Sequence, residues 1–560
     1  MRRNLILSII LVALLLRFYG LNWDANKHLH PDERFLTMVA IASHVPSRIS
    51  DYLNPKVSRM NPANVGFPFY VYGLFPISFT KVIAVFTHND AYDKLTVLGR
   101  GLSGIFDLMI ILFLYKILKL FEEKYDLNPG VKYWSCFLYA IAVLPIQLAH
   151  FFAVDTFLSF FMIAAFYHAV RYSVRRKPES IIIGAILFGL ALSSKITGLM
   201  ILPLIFFFIA VGEFPRKFKD IGIRNIFSVM FIFFVYGIVA LAVVRVANPY
   251  MFADSNILSF RISSQFLSNI QVLGKYNTYD TWFPPSIQWL SKQAVVFSLS
   301  NIMFLGLGVV WFFFLVAGLC YLLYILIKQR SELSILFMVI AAWTGLYFVY
   351  QSVQFVKVMR YFMPLYPFFA MFAGLGLWRL TMNLRIRYIA PIVVALMIWP
   401  LMFSSIYRNP HTRVAATDWM YNTLPTGSYI LGEYWDDPLP LNTANPKKRF
   451  NVRLVYPFDQ DTDDKWKKMD ASLADADYYV LSSNRGWGSI MSVPDRYPRQ
   501  SAFYRDLLAG RTYYKQIKEF TSYPSLTYMG IPVTLADDWA DEAFTVYDHP
   551  KVLIFKNTQK

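Results

Sequence analysis

Cysteine is nearly absent from this chain, with two residues in 560. That excludes a disulfide-stapled scaffold, and the two do not stand in a metal-binding spacing. Charge is scarce as well. Asp, Glu, Lys and Arg together make 16% of the residues, against about 25% in an ordinary globular domain. A chain this long with so little charge lacks the polar residues to cover several soluble domains. No Gly-rich phosphate loop ending in Lys-Ser/Thr and no dinucleotide fingerprint occurs in it, which argues against a nucleotide-driven activity. Internal repeats, low-complexity tracts and heptads are missing too.

What fills the chain is apolar. Hydrophobic residues make up 56% of it and 50 residues are Phe, the composition of a protein lying mostly in lipid. The basic excess is confined to that apolar part. Residues 1–405 carry 35 Lys/Arg and 17 Asp/Glu, whereas 406–560 carry 19 of each. A nucleic-acid partner would need a clustered, soluble basic surface, so none is expected.

Eleven segments are long enough to cross a bilayer, at 5–23, 98–120, 131–149, 151–171, 180–194, 196–212, 225–246, 301–327, 332–350, 361–378 and 388–405. With the N-terminus inside, the dense basic clusters all fall on the inner side. They include Lys116 to Lys132, Arg171 to Lys177, Arg216 to Arg224, Lys328 with Arg330, and Arg379 to Arg387. Counting 67–87 as a further span would invert every later loop and move the clusters outside. That stretch, with Pro68, Pro76 and Lys81, is expected to be a juxtamembrane or re-entrant hairpin. The first apolar run has no small-residue cleavage site and reads as a retained anchor. The small residues of Leu305-Gly306-Leu307-Gly308 suit close helix packing.

The expected architecture is a polytopic α-helical membrane protein of the inner or plasma membrane. Residues 1–405 form its membrane domain, with outer segments at 24–97 and 247–300. Residues 406–560 form an extracytoplasmic α/β domain. In it, strand signals at 428–434, 451–456, 476–482, 543–547 and 551–556 alternate with helical ones at 412–423, 463–472 and 500–509. Asp548-His549-Pro550 is expected to turn between the last two strands.

Ionisable residues at membrane depth are functional candidates, and most here lie on the outer side. His28, His30, Asp32 and Glu33 follow the first span directly. A carboxylate there suits deprotonation of an acceptor hydroxyl, or equally a helix cap after Pro31. Asp155, between two Phe-rich spans, could cap the next helix or join Asp32. His150 precedes it. Arg100, Lys195, Arg245, Lys357 and Arg360 stand at outer helix ends, where a cation snorkels, pairs with an acid or holds an anion. Together they suit a membrane-held phosphate or pyrophosphate, which leaves readily once cations neutralise it. No cofactor is called for, although Asp32, Glu33 and Asp155 could hold a divalent cation. A transporter or flippase of a lipid-linked glycan is the alternative, but would carry polar groups toward both faces and often an inverted repeat.

With Asp32-Glu33, Asp155, Ser194-Lys195-Ile196-Thr197-Gly198 and Arg360-Tyr361 through Pro364 and Tyr366-Pro367 in this order, the chain resembles the GT-C glycosyltransferases. The likeness is to the protein O-mannosyltransferase and aminoarabinose-transferase branch, over about residues 5–405. The resemblance implies a polyprenyl-phosphate sugar donor and an extracytoplasmic lipid, glycan or protein hydroxyl as acceptor. It implies Asp32 as the base, with Glu33 and Asp155 supporting it. Arg100, Lys195 and Arg360 would then lie on the donor phosphate, and His30, Tyr361 and His150 near sugar or acceptor. The Lys-Pro-Pro sequence common in the family's first outer loop is absent, and Gly66 to Tyr72 takes its place.

Overall fold

A computed structural model describes residues 2–215, 220–443 and 446–560. The basic residues Arg216, Lys217 and Lys219 lie outside the described residues. Among the described residues, seven helical segments are long and apolar enough to cross a membrane, or eight if the bent pair Pro129–Ala140 and Val143–Ala149 is one span. Two of them, Val154–Arg175 and Met359–Thr381, are enclosed by the others. The other expected spans are also helical. Arg2–Phe18 and Glu179–Ser194 are short. Tyr92–Tyr125 has 34 residues, about 51 Å at 1.5 Å per residue, and overshoots the hydrocarbon at its ends.

Close helix approach holds the bundle together. A Cβ on Gly318 would stand 1.8 Å from the Phe372 carbonyl oxygen, and one on Gly306 would stand 2.0 Å from the Tyr366 hydroxyl. The Gly306–Gly308 run is thus a packing surface, as its composition suggested. The 53° bend after Ala140 leaves carbonyls without helical donors inside the membrane domain. Arg17 answers them, donating to Ala140 O at 2.7 Å and Tyr139 O at 3.3 Å while pairing with Asp107. Its buried charge therefore closes a break that lipid could not solvate.

The stretch 67–87 is a single 12-residue helix, Phe75–Phe86, after an extended segment, and so not a hairpin. At about 18 Å it is too short for a bilayer of about 30 Å. Pro76 starts it, and Lys81 folds back on Asp90 at 2.7 Å.

Beyond residue 405 the chain forms a five-stranded mixed sheet in the order β2-β1-β3-β5-β4. The strands are β1 (Tyr429–Glu433), β2 (Asn451–Val455), β3 (Tyr478–Leu481), β4 (Tyr514–Phe520) and β5 (Val552–Asn557). The helices Thr412–Thr423, Asp463–Asp475 and Pro498–Leu508 lie where the pattern put them. Two details differ. The expected strand at 543–547 is a helical turn, Glu542–Thr545, so Asp548-His549-Pro550 links a helix to β5. The edge strand β4 escaped the pattern because Lys515, Lys518 and Glu519 break its apolar run, the charged dress of a protected edge.

Candidate functional site

His30 caps the helix Pro31–Ala42, its Nδ1 accepting from the Glu33 amide at 3.3 Å, with Pro31 in the first turn. The two acids that follow benefit from the helix N-terminus. Successive helical residues diverge by about 100°, and Asp32 and Glu33 accordingly enter different surroundings.

Asp32 pairs with Arg360 at the start of the 3-10 helix Met359–Leu365, and Tyr72 also bonds it. Burial would raise the Asp32 carboxyl, but the Arg360 guanidinium overrides it and holds the group at about 2. A cation thus dominates the surroundings of Asp32, and the group is ionised. Tyr72 reaches it because the next residue, Gly73, lies directly on a helix end. Gly73 N donates to Ser194 O at 3.1 Å, and a Cβ on Gly73 would stand 2.0 Å from Ser193 O.

Lys195 occupies the break after Glu179–Ser194 in extended conformation. Its Nζ donates to Asp155 at 2.9 Å and sits 3.9 Å over the Tyr361 ring, which Arg360 also approaches at 5.8 Å. Two ion pairs, Asp32–Arg360 and Asp155–Lys195, thus share one aromatic floor. Arg360 Nε is buried without a hydrogen-bond partner, a donor to spare.

Glu33 lies in a second cluster. Arg100 donates to Glu33 at 2.9 and 2.5 Å, to Asp24 at 3.1 and 2.8 Å and to Leu21 O at 2.7 Å, and lies over Trp23. Glu33 also accepts from Phe152 N at 2.8 Å. Burial raises the Glu33 carboxyl despite Arg100. Arg100 is wholly buried, and its donors are engaged within the protein. His150 is equally enclosed, with ring nitrogens facing Ile146 O and Tyr19 O and its ring on Tyr407. Neither reaches the Tyr361 floor. Burial lowers His30 to about 3, so it is neutral, wedged between Phe151 and Tyr547. Arg245 donates to Asp254 O and Asn256 O, and Lys357 to Phe355 O. Among the described residues no three His, Cys, Asp or Glu converge to hold a metal ion. Asp32, Glu33 and Asp155 each face a cation of the protein instead.

The C-terminal sheet domain closes over this site. Arg34 pairs with Asp437 at 2.6 Å, Arg413 holds Asp436 and Asp437, and Gln147 and Tyr407 both bond Asp548. Between the two parts lies a cavity of about 340 Å³ lined by Pro31, Arg34, Trp435, Asp437, Arg485 and Tyr547. A second cleft, of about 430 Å³, runs between the two outer loops and includes Tyr72, Tyr250 and Asn269. Asn269 fixes that wall by donating to Pro68 O and Tyr70 O. Tyr72, Tyr547, Arg34 and the 434–437 run escaped the sequence reading. They are polar or aromatic residues in outer segments, and nothing in their spacing points to Asp32.

The family model described as dolichyl-phosphate-mannose-protein mannosyltransferase matches residues 97–244, about a quarter of the chain. The archaeal oligosaccharyltransferase AglB from Archaeoglobus fulgidus, solved with an inhibitory peptide and a dolichol-phosphate, aligns at TM-score 0.51 and 14% identity, over 96% of this chain and 74% of that one. In fold, the chain is similar to this oligosaccharyltransferase. ArnT from Cupriavidus metallidurans bound to undecaprenyl phosphate aligns at TM-score 0.39 and 12% identity, over 100% and 98% of the two chains. The Pmt1-Pmt2 complex of S. cerevisiae bound to its sugar donor aligns at 0.34 and 16%, over 45% and 34%. No curated protein matches the chain.

Proposed function

We propose that the chain is an integral-membrane glycosyltransferase that moves a sugar from a polyprenyl-phosphate donor to an extracytoplasmic hydroxyl of a lipid, glycan or protein. The observation that carries this reading is the pairing of Asp32–Arg360 with Asp155–Lys195 across Tyr361, between two outer cavities. The matched family's description and the dolichol-phosphate held by AglB support a lipid-phosphate donor. The eleven apolar segments, with the N-terminus cytoplasmic and residues 406–560 outside, are part of the same proposal.

The donor phosphate takes the place of Asp32 on Arg360, using the unpaired Arg360 Nε, and joins Asp155 on Lys195. Charge-assisted bonds of this kind are strong and geometrically specific. Once Arg360 turns to the phosphate, Asp32 loses its partner and becomes available as a base. The acceptor hydroxyl enters through an outer cavity and attacks the anomeric carbon. Its proton passes to the Asp32 carboxylate as the carbon–oxygen bond to phosphate breaks. Polyprenyl phosphate leaves with its charge held by Lys195 and Arg360. One displacement inverts the configuration. Asp155 orients Lys195. Glu33 and Arg100 act behind the site by fixing the helix Pro31–Ala42 against the Phe152 turn. The sheet domain supplies the acceptor-facing wall.

The test is incubation of the purified protein in nanodiscs with a panel of polyprenyl-phosphate sugars and soluble and lipid hydroxyl acceptors. Release of polyprenyl phosphate together with an inverted glycoside is expected. Retained configuration would reject the single displacement. Movement of intact lipid-linked sugar between leaflets without cleavage would reject the reaction.

A further inference from the structure

Between Glu519 and Asp537 the sheet domain carries no charged residue. The segment forms a loop closed by a bridge between Ser525 and Thr534 and turned at Gly530, whose φ is +79°. Along it Met529, Ile531, Val533, Leu535 and then Trp539 are 40–56% exposed. In a domain otherwise balanced in charge, so many large apolar side chains on one loop need a cover.

The loop's contacts fix its level. Ser525 N donates to Met402 O at 3.1 Å, and the Tyr528 hydroxyl donates to Leu401 O at 3.2 Å, both within the last turn of the apolar helix Ile386–Ser404. Arg408 lies over both Tyr528 and Tyr19, just beyond the outer end of Arg2–Phe18. Trp539 packs edge-on against Phe304, itself exposed, at the start of the helical run that continues as Val309–Lys328. The loop thus touches the outer ends of two apolar helices and reaches the end of a third through Arg408. Its exposed side chains continue their lipid-facing surface.

We propose that residues 526–539 form an interfacial anchor, immersed at the headgroup–acyl boundary of the outer leaflet and covered by bilayer lipid. Tyr528 and Trp539 have the amphipathic rings that settle at that depth, and Met529, Ile531, Val533 and Leu535 supply the apolar area below it. The absence of charge from 526 to 536 makes the insertion apolar rather than dependent on anionic lipid, while Asp537 turns inward to His549 and Asp538 pairs with Lys551. The anchor holds the sheet domain at a fixed height over the membrane domain.

Nitroxide labels on Met529→Cys and Ile531→Cys, in the full chain with Cys320→Ser and in phosphatidylcholine nanodiscs, test this. Collision rates with oxygen and with a water-soluble nickel chelate are compared with labels at lipid-facing Phe234 and at exposed Lys468. The proposal expects 529 and 531 to favour oxygen several-fold, as at 234. A chelate-accessible profile matching 468 overturns it. Shielding from both reagents, with dipolar broadening between labels, overturns it in favour of contact with a second copy.

Discussion

Asp32 and Glu33 share a peptide bond but no partner: Asp32 faces Arg360 on the Tyr361 floor, and Glu33 faces Arg100 in the packing behind it. In the proposed reaction one acid serves the chemistry and the other the architecture, and substitution separates them.

Asp32→Asn keeps the shape and removes the base. Turnover falls by about 10²–10⁴-fold, the range for general-base assistance. Donor binding is retained or tightened, because Arg360 loses its internal competitor. Single-turnover assays beside donor-binding titration check both. Near-normal turnover would transfer the base to Asp155.

Lys195→Met and Arg360→Met each weaken donor binding by about 1.5–3 kcal/mol, the worth of a hydrogen bond to a charged group. Titration of polyprenyl phosphate in nanodiscs measures it. Unchanged affinity in both variants would remove the phosphate from the Tyr361 floor.

Arg100→Met leaves Asp24 and Glu33 buried together without a cation. Loss of one partner from such a cluster costs about 3–5 kcal/mol, so the thermal midpoint in detergent drops markedly. An unchanged midpoint with weakened donor binding would instead make Arg100 a phosphate ligand.

His549 sits between Asp548 and Asp537, at 2.5 and 2.9 Å. Burial alone would lower it, but the two carboxylates raise it to about 10 from an ordinary 6.5. A group raised on folding stabilises fully below its unfolded value and less as pH climbs toward its folded one. Thermal stability should therefore decline from pH 6.5 to 10, and His549→Gln should flatten that decline. Parallel curves for the two proteins would show that His549 is not the titrating group.

Reporters fused after Lys560 and after Asn89 should both be active only outside the cytoplasm, since the 12-residue helix Phe75–Phe86 does not cross. A cytoplasmic signal at Asn89 would change the number of spans.

Composition and hydropathy determined the membrane class, the helical positions, most of the sheet domain's alternation and the list of acids and cations beside the apolar helices. These are local properties: a run of apolar residues must be helical in lipid whatever surrounds it, and a charge beside it is costly wherever it points. Partnership was not local. Asp32 lies 328 positions from Arg360 and Asp155 lies 40 from Lys195, and only the packing of the enclosed helices brings them over one tyrosine. The same packing took Arg100 and His150 out of the site by burying them among other groups. It brought in Tyr72, because Gly73 lets the outer loop touch a helix end, and Tyr547, because the sheet domain docks through Arg34, Gln147 and Tyr407. A sequence shows which groups cannot stand alone in an apolar interior; which of them meet is decided by contacts between residues far apart in the chain.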